Sequence, residues 1–333
     1  MKRINKLLIL LVSVCFGVTA LGGCSLKRTA FFSHEAYSSD RAFSSTGAFA
    51  EETKPSQNIP GFALANALCI ADADYIPEGA VQWYCAGLFD ETNRSVLYAN
   101  RVHERLAPAS VTKILTALVA IKYGNLDDMV TVSDNARITE YGAKLCGFQP
   151  GDQVKLRDLL YGLLIYSWND AGVIIAEHIS GSVSAFADLM NAEAHALGAT
   201  NTHFVNPHGL SDPDHYTTAY DLYLIFRECM KQELFMEIIQ TKSYTCEYLK
   251  APEMIATAMT WNSTNRYFTG EADTPEGVTV IGGKTGYTAA AGGCLILLSQ
   301  DASGNQYISV VLKAQDKNMI YVEMSEVLDE IAK

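Results

Sequence analysis

Ser110 and Lys113 stand three positions apart at the head of an apolar run, PASVTKILTALVA, residues 108–120. A serine hydroxyl is a poor nucleophile until a base within hydrogen-bond reach takes its proton. Spacing of three on a helix stacks the two side chains, so a neutral lysine amine could be that base. Alone, the pair says little: a capping serine and a lysine snorkelling to water leave the same letters. The demand for neutrality makes it informative. A lysine amine of pKa ~10.4 must fall by about three units, roughly 4 kcal/mol, to act as a base near pH 7. Ile114 and Ala117 share the face of Lys113 and would desolvate it. A second cation about 6 Å away would add roughly 3 kcal/mol at an effective dielectric near 20. Lys284 is the candidate for it.

Two further short motifs follow along the chain. Ser167-Trp168-Asn169 falls between two expected helices, and Lys284-Thr285-Gly286 falls on an expected strand with glycines at 282, 283 and 286. Ser-x-x-Lys, Ser-x-Asn and Lys-Thr-Gly, in that order, are the motif set of penicillin-binding proteins and serine β-lactamases. The stretches LAPASVTKILTALVA, YSWNDAG, NTHFVNPHGLSDPDHYTTAYDL and GGKTGYTAAAGGCL narrow the match. From about residue 80 onward the chain resembles the D-alanyl-D-alanine carboxypeptidases of the low-molecular-mass penicillin-binding group, the serine peptidase S11 family.

That resemblance implies an acyl-enzyme on Ser110, formed from peptidoglycan stem peptides ending in D-Ala-D-Ala. It also implies β-lactams as covalent inhibitors, and neither metal nor cofactor. Lys113 is then the base, and Ser167 relays the proton to the leaving amine. Asn169 holds the substrate amide. Lys284 stays cationic and, with the Thr285 hydroxyl, grips the terminal carboxylate, while Gly286 lets the substrate backbone lie along the strand edge. Backbone N–H groups of Ser110 and Tyr287 form the oxyanion hole. One departure from the family pattern is Trp168, where relatives carry a small residue; its ring either narrows the cleft or points away. Arg266, in NSTNRYF, is a second carboxylate-binding candidate or a solvated cation. Other readings stay open: a D,D-endopeptidase, a non-catalytic penicillin-sensing or wall-binding module, or a β-lactamase. The last needs a dedicated glutamate, and no Glu-x-x-x-Asn segment stands in a matching context between 169 and 284.

His203, His208 and His215, with Asp212 and Asp214, invite a metal reading. Their spacings fit no helical ligand pair, so a structural turn is expected instead.

These residues need a frame. AVQWYCAGLFD (80–90) and RSVLYAN (94–100) read as a hairpin turned by DETNR. Helical patterns follow at 110–122, 156–165, 170–180, 183–198 and 217–230, and strands return after residue 275. An amphipathic helix closes the chain, with Ile320, Met324 and Ile331 on one face. The expectation is an α/β, penicillin-binding protein/β-lactamase-like domain: an antiparallel sheet from the N- and C-terminal strands, with a helical subdomain between them.

The 333 residues carry a formal net charge of −12, which argues against a nucleic-acid partner. MKRINKLLILLVSVCFGVTALGGC opens with three cations and an apolar stretch, the pattern of an export signal. Its ending, Leu21-Gly22-Gly23-Cys24, resembles a bacterial lipobox, with Cys24 lipidated. The domain reading is a signal at 1–23, a lipidated cysteine and serine-rich flexible tether at 24–60, and a catalytic domain at 61–333 with no additional C-terminal β-domain. Membrane attachment through that lipid, on the outer face of the cytoplasmic membrane, is the expected location. Six further cysteines (69, 85, 146, 229, 246, 294) are expected to be mostly free and buried.

Overall fold

Strand residues alternate between two faces, so a strand that is apolar throughout needs cover on both. The computed structural model supplies it. It describes residues 68–333; the expected export signal, Cys24 and the expected tether lie outside the described residues. The expected hairpin is present as β1 (Cys85–Asp90) and β2 (Ser95–Asn100). Between them and the later strands come β3 (Met129–Thr131), β4 (Gln153–Lys155), β5 (Ser243–Lys250) and β6 (Ile255–Asn262). The chain then forms β7 (Thr279–Thr288), β8 (Gly292–Gln300) and β9 (Gln306–Ala314).

A five-stranded antiparallel sheet runs β2-β1-β9-β8-β7. Pairing of β1 with β9, Ala86 opposite Val311, joins the two ends of the domain as expected. Along β8, Ile296 and Leu298 pack into the helical side, while Leu295 and Leu297 pack beneath the closing helix.

Six α-helices lie between the hairpin and β5: α1 (Lys113–Tyr123), α2 (Leu156–Tyr161), α3 (Asn169–Ser180), α4 (Val183–Ala196), α5 (Ala219–Cys229) and α6 (Glu233–Gln240). A one-turn helix, α7 (Arg266–Thr269), precedes β7, and α8 (Met319–Asp329) covers the other sheet face. Residues 113–120 of α1 are all buried, which makes α1 the central helix rather than an amphipathic surface one. Ser182 and Thr218 cap α4 and α5, each accepting an N–H from the first turn at 3.1 and 3.0 Å.

Two features were not expected from the sequence. The short strands β3 and β4 join the hairpin β5–β6 in a second, four-stranded sheet, and α6 is an additional helix. The helix expected over 156–165 ends at Tyr161, where Gly162–Tyr166 widen into a π turn. Trp168 explains the widening. Its buried ring meets Trp261 edge-on at 4.2 Å between centroids, and a Cβ on Gly162 would come within 2.6 Å of it. Trp168 therefore points into an aromatic cluster under the second sheet and away from the cleft described below. All six cysteines among the described residues are free and buried. Replacing Trp168 by alanine empties this cluster. Denaturant unfolding of Trp168→Ala should show a loss of about 3–5 kcal/mol; a loss under about 1 kcal/mol would mean that the ring is not seated there.

Candidate active site

Ser110 lies in a single 3-10 turn, Ala109–Thr112, that leads into α1. Three residues per turn eclipse positions i and i+3, and Lys113 Nζ stands 2.8 Å from Ser110 Oγ. Asn169 Oδ1 at 2.7 Å and the His208 carbonyl at 2.6 Å complete its shell. Those two oxygens can only accept. In the uncharged amine they take both hydrogens, and the lone pair is left facing the Ser110 hydroxyl. The surroundings favour that form. Lys113 is fully buried; burial first, then the neighbouring amines of Lys284 and Lys144, push its pKa well below the ordinary lysine value, against a weaker pull from Asp170.

The turn that presents Ser110 is strained. Ala109 has φ +48° and Ser167 φ +76°, left-handed conformations that cost a residue with a side chain about 1–2 kcal/mol. A chain of hydrogen bonds holds Ala109 there. Thr112 Oγ1 donates to the Ala109 carbonyl at 2.8 Å. His215 Nδ1 accepts from Val205 N–H at 3.1 Å, so its hydrogen sits on Nε2, which donates to Thr112 Oγ1 at 2.8 Å. Gly209 presses on the same carbonyl: with φ +85°, any Cβ there would lie 1.9 Å from Ala109 O. The other histidines are also structural: His203 Nδ1 meets the Asp214 carbonyl at 2.6 Å, and His208 Nδ1 accepts from Leu210 N–H at 3.2 Å.

A cleft of about 270 Å³ opens over Ser110. Ser167, Asn169, Thr285, Gly286 and Tyr287 line it, together with Lys144, Thr264, Arg266, Lys317 and Tyr321, and no carboxylate does among the described residues. Gly286 lines the cleft and has a further role: a Cβ on it would lie 2.8 Å from the Ser110 backbone nitrogen, so a glycine there also lets β7 close on the turn that carries Ser110. Two of the sequence expectations differ from what is observed. Lys284 does not reach into the cleft as a free cation. It is 2% exposed, donates to the Thr285 carbonyl at 2.8 Å, and burial, then Lys144, lower its pKa well below the lysine range. Ser167 lines the cleft, but its Oγ makes no hydrogen bond to Lys113 or Ser110 among the described residues, so a direct relay is not preformed.

Arg266, left open by the sequence, is at the cleft. Its guanidinium lies over Tyr321 at 5.0 Å and donates to Asn318 Oδ1 at 2.8 Å. Thr264 was not foreseen; its hydroxyl meets that of Thr285 at 3.1 Å. Lys144, Lys317 and Tyr321 were missed too, because only long-range folding brings them to the motifs.

A serine hydroxyl with a buried amine 2.8 Å away, on a strained turn between an antiparallel sheet and a helical subdomain, is the arrangement of serine acyl-transfer proteins with the penicillin-binding fold. Residues 77–316 match the family model of the D-alanyl-D-alanine carboxypeptidases of peptidase type S11, and the chain belongs to that family. It is 35% identical over 253 residues to D-alanyl-D-alanine carboxypeptidase DacF of Bacillus subtilis, an alignment covering 73% of this chain and 60% of DacF. The chain spans about 60% of the length of the curated relatives it matches first. Among solved structures, the Streptomyces K15 DD-transpeptidase superposes with a TM-score of 0.69 at 27% identity, covering 76% of this chain and 99% of that one. A D-alanyl-D-alanine carboxypeptidase from Mycobacterium tuberculosis gives 0.66 at 27% identity, covering 78% and 96%.

Burial lowers the His215 pKa from about 6.5 to about 4, outweighing the opposing charge of Asp212. As pH falls below about 6.5 the unfolded chain takes up a proton that the folded protein refuses until about 4. Stability present above this window is therefore lost across it. His208, lowered to about 3, acts in the same direction. His215→Gln should flatten the fall in Tm between those pH values, as read by thermal unfolding in a buffer series; an unchanged slope would show that His215 is not held neutral.

Proposed function

We propose that this protein is a serine-type D-Ala-D-Ala carboxypeptidase that removes the terminal D-alanine from peptidoglycan stem peptides through an acyl-enzyme on Ser110. The observation that carries this reading is the buried amine of Lys113, 2.8 Å from Ser110 Oγ with its other two contacts made to acceptor-only oxygens. Ser110 attacks the penultimate carbonyl as its proton passes to Lys113. The developing oxyanion is met by the Ser110 and Tyr287 backbone N–H groups. Asn169 Nδ2 is left to hold the acyl-side carbonyl. The substrate carboxylate meets Thr285, Thr264 and Arg266 at the cleft wall; its negative charge favours protonation of Lys284 just behind. D-alanine leaves with a proton returned from Lys113, and water then attacks the ester.

β-Lactams present a strained amide beside a carboxylate and should acylate the same serine. Lack of a carboxylate in the lining supports slow release of that adduct, and so a carboxypeptidase over a β-lactamase. The inward-pointing Trp168 supports an open, working cleft over a non-catalytic module. Mass spectrometry after incubation with penicillin, alongside a D-alanine release assay, tests the reading. Expected are an adduct on Ser110 and D-alanine from a pentapeptide. Lys113→Met should slow acylation by about 10²–10⁴-fold, and the wild-type rate should fall as pH drops, since acid charges the base. Undiminished acylation of the variant would sink the mechanism.

We infer further that the protein is exported and held by a lipid on Cys24 at the outer face of the cytoplasmic membrane. The support is the signal-like 1–23 segment and its Leu21-Gly22-Gly23-Cys24 ending. Cys24→Ala should move active protein from the membrane to the soluble fraction and abolish incorporation of labelled fatty acid. Unchanged retention would count against the lipid.

A further inference from the structure

We propose that Trp168 and Trp261 are positioning residues that hold the two walls of the cleft at a spacing suited to a small leaving residue, and so set the preference for a terminal D-alanine. The inference rests on the carboxypeptidase reading above and adds to it a determinant of which C-terminal residue is released.

The walls come from separate parts of the chain. Ser167 and Asn169 stand on one; Thr264 and Arg266, just after β6, stand with Thr285 on the other. On the proposed pathway the leaving residue has its amine beside the first wall and its carboxylate on the second. Its side chain has only the gap between them. At the front, the walls are tied through the Ile165 carbonyl, which accepts the Thr264 N–H at 3.2 Å and the Thr264 hydroxyl at 3.4 Å.

Behind, they are tied by two rings. Trp168 is the residue between Ser167 and Asn169, and Trp261 lies three residues before Thr264. The rings meet edge to face, with 71° between their planes, and both are buried. Phe148 and Tyr166 close on Trp168 at 6.2 and 5.7 Å between centroids, and Tyr244 backs Trp261 at 5.9 Å. Neither indole N–H has a hydrogen-bond partner among the described residues. The pair therefore acts through ring volume and edge-to-face contact.

Backbone strain makes that contact consequential. Ser167 is left-handed, at φ +76°, and the N–H groups of Ser167 and Trp168 both turn back to the Gly162 carbonyl, at 3.0 and 3.3 Å. Such a conformation persists only where its surroundings over-determine it, and the Trp168 ring seated against Trp261 is part of those surroundings. A small side chain at 168 would leave Trp261 facing a void. The Ser167 turn and the strand end that carries Thr264 would then both gain room to move, and the gap would widen. The departure from the family pattern at 168 thereby acquires a use.

The test uses three peptides identical except for the C-terminal residue: D-alanine, D-valine or D-leucine. Release of that residue is measured, as kcat and KM, for the wild type, Trp168→Phe, Trp261→Phe, Trp168→Leu and Trp261→Leu, each checked for folding by denaturant unfolding. Expected is a wild-type preference of about 100-fold in kcat/KM for D-alanine over D-leucine, with D-valine between. It should narrow by about two- to threefold in the phenylalanine variants and by about tenfold in the leucine variants, as KM for the larger residues falls. An equal loss for all three peptides would overturn the proposal, since it would make the pair merely structural. So would an unchanged preference in the phenylalanine variants, which decide the matter alone if the leucine variants do not fold. Failure of the carboxypeptidase reading shows separately, as no release from any peptide by the wild type. The same preference then reads out as calorimetric affinity on Ser110→Ala protein, with and without the phenylalanine substitutions.

Discussion

An amine buried without an anion beside it is the constraint around which this fold is organised. Water is replaced at Lys113 by three oxygens, one from its own turn at 110 and two from distant segments, the start of α3 at 169 and the loop carbonyl at 208. A buried donor left unmatched costs about 1–3 kcal/mol, so displacement of any one segment is felt by the other two. The geometry of the proposed Ser110–Lys113 pair and the stability of the helical subdomain are in this sense coupled. Burial of residues 113–120 of α1 follows from it, because an exposed first half of the helix would let water back to the amine and restore its charge.

The sheet contributes by closeness rather than by side chains. Gly286 and Gly209 stand where β7 and the 203–217 loop press on the 3-10 turn, and each is a glycine because backbone atoms occupy the place of a Cβ. Between them they squeeze Ala109 into a left-handed conformation that an alanine would not choose. The cost is met by packing on both faces of the sheet, through the helices on one side and α8 on the other. Strained backbone next to a nucleophile, fixed by contacts on every side, is the expected form of a preorganised site.

Much of this was legible in the sequence. Ser110 and Lys113 are neighbours on one turn, so their contact follows from spacing alone. Asn169 and Lys284 came from motif resemblance, and the shared sheet followed from apolar runs at both ends. What was not legible depends on distance. His215 looked like one of a loose histidine cluster, and only the fold sets it under Thr112. Lys144 and Lys317 have no local pattern to mark them. Trp168 had two possible directions, and Trp261, nearly a hundred positions on, decides between them. The second sheet escaped notice because β3 and β4 are three residues each and β5–β6 alternates polar with apolar residues. Gly286 carries a second role that no local pattern marks: the backbone of the Ser110 turn stands where its Cβ would be.

The six free thiols distribute an internal clock through the molecule. Cys294 lies on β8 and Cys85 on β1, Cys229 ends α5, Cys246 sits in the second sheet, and Cys146 lies beside Asp170 near the cleft. Burial raises the pKa of each, so none offers a thiolate to a reagent while its surroundings stay shut. The pace at which an alkylating agent marks each sulfur is accordingly the pace at which that particular layer breathes, and the order of marking ranks the layers from loosest to tightest.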